Sequence, residues 1–209
     1  MASDKGASSP PPTDLHEREL KLVDATARRG ADWFRIGKTR YAPLYFSQDD
    51  GWRFSRPDMP GVLYIGESAE TCFWEVFWDD LANRKPVDRK LDSGKVDERS
   101  LWVVTIPPGI RVVDTFSAAA LQDMSAHTGT FSGPYVICQA WAKALREHPQ
   151  KPHGILYESA RNRGTACLAL FEESCKPLAF QFTGMSALRD SVALATSLAK
   201  YGILAAIKE

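Results

Sequence analysis

The stretch WRFSRPDMPGVLYIGESAETCFWEV, residues 52–76, constrains the fold of this chain more than any other segment. It places a basic turn, a short apolar strand and an amphipathic helix in succession, with almost no spacer between them. Ser68 is a favourable N-cap for the helix, and Glu70 falls in the first turn, where the positive helix end favours a carboxylate. The segment therefore predicts a buried strand that leads directly into a packed helix.

Glu75 is the most informative residue of that helix. Apolar residues at helical spacing define a core stripe that contains Ala69, Cys72, Phe73, Val76 and Phe77. At about 100° per residue, Glu75 points roughly 140° away from the centre of this stripe, on the side of Trp74 and Trp78. An exposed helix face is usually rich in Lys and Glu, so a face with two tryptophans indicates a surface that lines a binding site. The alternative is a surface carboxylate that happens to lie near tryptophans.

Short strand patterns recur along the chain without regular alternation with helices. Strands are predicted for DWFRIG, YAPLYFS, GVLYIG, SLWVVTI, IRVVDTF, GILYES and TACLALFEE. Helices are predicted for LHERELKLVDATARRG, SAAALQDM and SGPYVICQAWAKALREH, and NRKPVDRKLDSGKVDERS is predicted to be a mobile loop. The apolar tail after residue 180 is ambiguous between strand and helix. This mixture favours an α+β fold over a doubly wound one.

Composition predicts one domain in a reducing compartment. Residues 1–14 are rich in Ser and Pro and are predicted to be a disordered leader, and residues 15–209 are predicted to form a single domain. The N-terminus lacks the apolar run of a secretory signal, no segment reaches 18 uninterrupted apolar residues, and the four cysteines are scattered. We therefore expect a cytoplasmic protein without membrane association. The formal net charge of zero argues against direct nucleic-acid binding.

Several common kinds of site are missing from the sequence. It contains no GxxxxGK[ST] loop, no GxGxxG after a strand and no GxSxG elbow. The four histidines stand alone, and the cysteines do not pair with them at zinc-ligand spacing. We therefore expect no metal site.

Polar residues before and within the strand of the opening segment suggest anion binding. Arg53 and Arg56 precede a Pro/Gly turn, where they form either a solvated loop or a fork for phosphate oxygens. Tyr64 is either a core residue or a ring that stacks on a planar heterocycle. Far along the chain, YESARNRG contains Ser159 and Arg161 in what is otherwise an ordinary turn. It is evidence for a site only if the fold brings it next to the polar residues of segment 52–76.

Taken together, these motifs resemble the RES-domain family, named for its arginine, glutamate and serine. In that family an Arg followed by an aromatic residue leads through a Pro/Gly turn into a strand ending in Leu-Tyr. A Glu-bearing helix comes next, and a Ser ends a later strand. The chain has this pattern in WRFSRPDMPGVLYIGESAETCFWEV and GILYESARNRGTACLALF, and the resemblance covers about residues 31–180. It assigns the functional positions of the family to Arg53, Tyr64, Glu75 and Ser159. The upstream WFRIGKTRYAPLYF makes Arg35 a secondary candidate.

The resemblance implies a fold like that of ADP-ribosyltransferases, with a mixed, split β core and flanking helices. It implies NAD⁺ as the substrate, broken at the nicotinamide–ribose bond by an NAD glycohydrolase or phosphorylase. Transfer of ADP-ribose to a protein and an inactive NAD-binding or protein-interaction module are the alternatives.

On this interpretation each candidate residue has a role. Glu75 stabilises the ribose cation, Arg53 holds the pyrophosphate, and Ser159 hydrogen-bonds the ribose or the nicotinamide amide. The ring of Tyr64 stacks on nicotinamide together with that of Trp74. Arg35, Arg56 and Arg161 are further candidates for binding the dinucleotide.

Members of the family are typically toxins of bacterial toxin–antitoxin pairs. The resemblance therefore implies a helix-turn-helix antitoxin as partner, seated over the cleft, and a homodimer of this chain at the centre of the complex.

Overall fold

The computed structural model describes residues 9–28, 30–82 and 84–205. Its strands are β1 (Leu22–Asp24), β2 (Asp32–Lys38), β3 (Val62–Gly66), β4 (Lys90–Leu91), β5 (Arg99–Thr105), β6 (Arg111–Asp114), β7 (Gly154–Glu158), β8 (Ala166–Phe171), β9 (Gln181–Ala187) and β10 (Leu204–Ala205). Its α-helices are α1 (Ala69–Leu81), α2 (Ser93–Asp97), α3 (Ala118–Asp123), α4 (Tyr135–Glu147), α5 (Glu172–Cys175) and α6 (Val192–Tyr201). Short 3-10 helices cover Leu15–Glu17, Pro86–Asp88, Thr130–Ser132 and Leu188–Asp190.

An eight-stranded sheet organises the molecule, with the strand order β1-β6-β7-β8-β3-β2-β5-β9. The β6–β7 pair is parallel and the other pairs of this sheet are antiparallel. A separate pair of parallel strands joins β4 to β10. The predicted α+β class is confirmed, with one mixed eight-stranded sheet and flanking helices.

The sheet is buried on both faces because its central strands alternate between two apolar clusters. Ile155 and Tyr157 of β7 pack into one cluster with Trp141 of α4, whereas Leu156 packs into the other with Trp33 of β2. All six residues of β8 are buried, as expected for a central strand covered on both faces. A third cluster packs α1 against α6 and includes Phe73, Phe77, Leu81, Leu188 and Leu194.

The helix predicted after the leader is wrong. Residues Leu15–Glu17 form only a 3-10 turn, and β1 pairs with β6 instead of continuing a helix. The backbone groups between them have tertiary partners: the side chain of Gln150 bonds both the N–H and the carbonyl of Leu20, and the ring of His148 bonds the carbonyl of Arg18. These contacts with the α4–β7 connection outweigh the local helix propensity. Arg29, near the end of the predicted helix, lies outside the described residues.

Two other segments also differ from the prediction. YAPLYFS makes only a single β-bridge, from Ser47 to Val62, because its carbonyls at Pro43 and Tyr45 accept hydrogen bonds from the Arg35 side chain. The charged segment predicted as a loop contains β4 and α2, and the Asp92 side chain caps α2 with a 2.7 Å bond from the N–H of Gly94. The ambiguous tail forms β9, α6 and β10.

The predicted leader is described only in part. Residues 1–8 lie outside the described residues, so their disorder stays a prediction. The carbonyl of Ser9 accepts a 2.8 Å hydrogen bond from Nε1 of Trp141, and Leu15 is buried in the core. The single-domain boundary at residue 15 stays a prediction as well.

Candidate active site

A cleft of about 580 Å³ lies between α1, the segment after β2 and the turn that precedes β3. This volume falls within the range of small-molecule sites, about 300–1,000 Å³. Its charged lining residues are Arg35, Lys38, Arg40, Arg53, Arg99, Arg161, Asp49, Glu75 and Asp79. Positive charge is thus in excess here, although the whole chain has a formal net charge of zero. An anionic ligand suits this cleft.

Glu75 is held in the cleft by Ser159. The Ser159 hydroxyl donates a 2.5 Å hydrogen bond to Oε1 of Glu75 and accepts backbone bonds from the N–H groups of Arg161, at 3.2 Å, and Asn162, at 2.9 Å. Ser159 is fully buried at the end of β7, so its hydroxyl has one orientation that satisfies all three bonds. Two segments that lie 84 residues apart in the sequence therefore meet at one carboxylate.

Arg53 is a buried cation with unused hydrogen-bonding capacity. It is 7% exposed, and its guanidinium lies 5.3 Å from the ring centroid of Tyr157. Its Nε and Nη1 are buried without a hydrogen-bond partner among the described residues. Burial lowers the pKa of Arg53, but the neighbouring Tyr157 and Glu75 outweigh this and leave the pKa above its ordinary value. Two buried donors without partners are what an anionic ligand would satisfy.

Tyr64 fixes the turn that carries Arg53. Its hydroxyl accepts a 3.0 Å bond from the backbone N–H of Phe54 and shares a 2.8 Å bond with the hydroxyl of Ser55. Burial raises the pKa of Tyr64 far above its ordinary value, so the phenol stays neutral. Its ring lies 5.6 Å from that of Trp52, at the wall of the cleft.

Two further predicted arginines reach the cleft, although both already have partners. Arg35 donates to the carbonyl of Pro43 and, at 3.1 Å, to that of Tyr45. Burial lowers the pKa of Arg35 to about 10, which leaves it charged at neutral pH. Arg161 donates to Asp79 at 3.2 Å.

Arg56 and Trp74 lie outside the cleft lining, contrary to what their proposed binding roles require. Arg56 pairs with both carboxylate oxygens of Asp58 at 2.8 Å on the surface. Trp74 packs edge to face on Tyr201 of α6, with a centroid distance of 4.7 Å. Neither position was decidable from the sequence, because helical spacing does not show which neighbouring element covers a face.

The cleft-facing residues of α1 follow a stripe other than the predicted one. They are Cys72, Glu75, Val76 and Asp79. This spacing of three and four residues is that of one helix face. Trp74 lies beside this stripe and contacts α6. Trp78 packs edge to face on Trp74, and the guanidinium of the cleft-lining Arg161 lies 5.4 Å from the centroid of its ring.

Sequence reasoning missed the aromatic rim of the cleft. Tyr41, Tyr45, Trp52, Tyr135 and Tyr157 all line it, and none was a predicted site residue. One signal was available: YAPLYF places three aromatic residues shortly after the strand that carries Arg35, and two of them, Tyr41 and Tyr45, line the cleft.

The described part of the chain also bears on other classes of site. Within residues 9–28, 30–82 and 84–205, no group of three or more His, Cys, Asp or Glu side chains is arranged to hold a metal ion. None of the helices described there is long and apolar enough to cross a bilayer. A second concavity, of about 620 Å³, is an open surface depression whose lining includes Pro60, Glu172 and Lys176.

Comparison with known families agrees with this geometry. The RES domain family model matches residues 32–185, a range that contains Arg53, Tyr64, Glu75 and Ser159. The chain belongs to the RES domain family.

This RES domain also has a solved structural relative. A chain of the M. tuberculosis MbcT-MbcA toxin-antitoxin complex superposes with a TM-score of 0.63, covering 91% of this chain and 98% of that one at 14% identity. At that identity the likeness concerns the fold. No curated protein sequence matches the RES domain described here.

Proposed function

We propose that this RES domain is an enzyme that consumes NAD⁺ by cleaving the bond between nicotinamide and ribose. One observation carries the proposal: a carboxylate fixed by a buried hydroxyl, Glu75 on Ser159, shares a cleft with a buried arginine whose donors are unused. Dinucleotide cleavage needs both, since the ribose becomes cationic while the pyrophosphate stays anionic. The alternative reactions that the family resemblance implies differ only in the acceptor of ADP-ribose.

Glu75 is the residue that acts on the reacting sugar. As the C1′–N bond breaks, its electron pair moves to the pyridinium nitrogen and neutral nicotinamide leaves. The ribose then develops oxocarbenium character, which the Glu75 carboxylate stabilises through its charge or through the ribose hydroxyls. Water adds to C1′ and loses a proton to give ADP-ribose. Phosphate in the place of water gives ADP-ribose 1″-phosphate.

Arg53 and Tyr64 bind the substrate in this proposal. The Nε and Nη1 donors of Arg53 pair with pyrophosphate oxygens, which removes the penalty of leaving them buried and unsatisfied. The Tyr64 ring, at the cleft wall, stacks on nicotinamide. Ser159 keeps the carboxylate oriented.

Partners and location belong to the same proposal. The structural relative comes from a toxin–antitoxin complex, which supports a toxin role for this chain and an antitoxin as its partner. We propose a helix-turn-helix antitoxin that covers the cleft, a homodimer of this chain within the complex, and a cytoplasmic location. The purified chain alone is not expected to bind DNA, because its net charge is zero.

The decisive experiment incubates purified chain with NAD⁺, with and without phosphate, and separates the products by chromatography. The parent is expected to release nicotinamide, and Glu75→Gln to release it about 100-fold or more slowly, since a fixed charge at the developing cation is lost. The companion product, ADP-ribose or its phosphorylated form, identifies the acceptor. Glu147→Gln is the matched control, because Glu147 is an exposed carboxylate on α4 outside the cleft.

Other outcomes separate the competing functions. Equal nicotinamide release by the parent and Glu75→Gln contradicts the assignment of Glu75. If neither releases nicotinamide, labelled NAD⁺ in a lysate decides the matter: a labelled protein band supports ADP-ribosyl transfer, and a blank gel supports an inactive binding module.

A further inference from the structure

A pair of stacked tyrosines lies in the cleft without a role in the chemistry described above. The rings of Tyr41 and Tyr45 have centroids 4.2 Å apart and planes inclined by 8°. Both line the cleft and both are half-buried. The Arg40 guanidinium lies 4.9 Å from the centroid of Tyr41 and donates to its hydroxyl at 3.1 Å. The result is a stacked aromatic pair with a cation over the Tyr41 ring.

Arg35 holds the segment that carries these rings. Its guanidinium donates to the carbonyl of Pro43, which lies between the two tyrosines in the sequence, and to the carbonyl of Tyr45 itself. These two bonds take the place of the β pairing that the segment lacks, since its only bridge is Ser47 to Val62 within the described residues. A segment fixed before binding loses little conformational entropy when a ligand arrives. Arg35 therefore acts as a clamp for the aromatic surface and not as a free phosphate ligand.

The strand register separates this surface from Glu75. Phe34 of β2 pairs with Gly66 at the carboxyl end of β3, while Ser47 bridges to Val62 at its amino end. Cys167 of β8 pairs with Gly66 of β3 on one side and with Tyr157 of β7 on the other. The carboxyl end of β7, which Ser159 follows, therefore lies at the same end of the sheet as Gly66. Four residues of strand span about 13 Å. The cleft thus has a carboxylate end and an aromatic end, at opposite ends of β3.

We propose that the stacked Tyr41–Tyr45 pair is a base-binding subsite that takes the adenine ring of the dinucleotide. This inference rests on the proposed function for the identity of the substrate. The purine face stacks on the aromatic surface, and Arg40 adds a cation beside it. The separation of the two ends suits a ligand whose base and reacting sugar are far apart.

Two kinds of measurement test the subsite, and both compare Tyr45→Leu with Tyr45→Phe. The leucine removes the aromatic face and the phenylalanine keeps it, while the backbone carbonyl that Arg35 binds is present in both. The first measurement is AMP binding by calorimetry, with ribose 5-phosphate as the probe that lacks a base. We expect Tyr45→Leu to weaken AMP binding about tenfold and Tyr45→Phe to change it by less than about threefold, from the energy of one stacked base. Tyr41→Leu and Tyr41→Phe should change AMP binding in the same way as the corresponding variants of Tyr45.

The second measurement follows nicotinamide release from NAD⁺ and from nicotinamide mononucleotide, which lacks the adenosine half. Tyr45→Leu should lower kcat/KM about tenfold for NAD⁺ and leave that for the mononucleotide unchanged. Equal AMP affinity in the parent and Tyr45→Leu, or no AMP binding by the parent at millimolar concentration, overturns the subsite. An equal loss of ribose 5-phosphate binding overturns it too, since the base is then not what is recognised. Absence of cleavage contradicts the proposed function alone, because AMP binding still reports on the tyrosines.

Discussion

Ser159 shows how a residue that does not react can decide whether another one does. Its hydroxyl donates to Glu75 and accepts from two backbone N–H groups, which leaves it no freedom to serve the substrate as well. The family resemblance implies a direct bond from Ser159 to the ribose or the nicotinamide amide. The observed contacts favour a positioning role instead. We therefore expect Ser159 to affect nicotinamide release only by orienting the Glu75 carboxylate.

Replacing Ser159 with alanine tests this role. Ser159→Ala should lower kcat for nicotinamide release about tenfold to 100-fold with little change in KM, because a carboxylate that is misplaced by about 1 Å stabilises the transition state poorly. It should also lower the free energy of unfolding by about 1–3 kcal/mol, since the N–H groups of Arg161 and Asn162 lose their acceptor. Steady-state kinetics and thermal melting measure the two effects.

The double variant Ser159→Ala with Glu75→Gln separates positioning from direct action. If Ser159 works through Glu75, the double variant is no slower than Glu75→Gln alone. Additive losses contradict the positioning role, because they require Ser159 to touch the substrate independently.

At the scale of single residues, spacing predicted which side chains would meet. Arg53, Tyr64 and Glu75 lie within one turn–strand–helix unit, so their proximity follows from local geometry alone. Ser159 joined them through family resemblance, not through any local signal. Trp74 was misplaced because the sequence could not show that α6 covers its face.

At the scale of elements, α6 braces the helix that carries Glu75. It lies beyond residue 185, where the match to the family model ends. Tyr201 packs its ring edge to face on Trp74 and donates its hydroxyl to Glu70 in the first turn of α1. Lys200 adds a 2.8 Å ion pair to the same carboxylate. The hydrogen bond of Tyr201 is partly buried, whereas the ion pair of Lys200 is exposed. Their contributions to the free energy of unfolding should therefore differ.

Tyr201→Ala should lower the free energy of unfolding by about 2 kcal/mol, because it removes an aromatic contact and a hydrogen bond to a charged group. For a chain of this size the melting temperature then falls by about 4–8 °C. Lys200→Ala is the neighbouring control and should change it far less, since an exposed ion pair contributes about 0–1 kcal/mol. Equal losses in the two variants contradict the brace described here.

Elements were predictable where one local pattern acted without competition. Strands such as β3 and β7 and the helix α1 have clear periodicity and bounding turns, and all three form as predicted. The helix expected after residue 14 and the strand expected at residues 41–47 failed for a shared reason. In both segments distant side chains, those of Gln150 and Arg35, bind the backbone groups that the predicted element needed. Such contacts leave no local trace in a sequence.

At the scale of the whole molecule, carboxylates set the acid limit of stability. The hydrogen bond from Lys200 lowers the pKa of Glu70 below its ordinary 4.5, and that from Lys176 does the same for Glu172. A lowered folded-state pKa contributes stability that is present above the unfolded value and lost as the pH falls through the folded one. Stability should therefore decline below about pH 4.5, and the loss should be modest because these groups are partly exposed.

Buried thiols set the alkaline limit. Burial raises the pKa of Cys72 and of Cys175 from 9.0 to about 12, so both stay neutral in the folded chain. A raised folded-state pKa contributes stability that is fully present below the unfolded value, near 9, and lost as the pH rises towards 12. At pH 10, one unit above the unfolded value, each such thiol costs about 1.4 kcal/mol. This corresponds to a fall of about 3–6 °C in the melting temperature for each thiol.

Melting curves from pH 3 to pH 11 should therefore show a plateau from about pH 5 to pH 9, with a shallow acid limb and a steeper alkaline one. Cys175→Ala should have a lower melting temperature than the parent on the plateau, because it leaves a small cavity in the core. Its melting temperature should fall less steeply at alkaline pH, because one buried thiol has been removed. Cys175 is suited to this comparison because it lies in α5 directly after β8, is buried and does not line the cleft. Its Sγ donates to the carbonyl of His153. Parallel alkaline limbs in the parent and the variant would show that thiol burial does not set the limit.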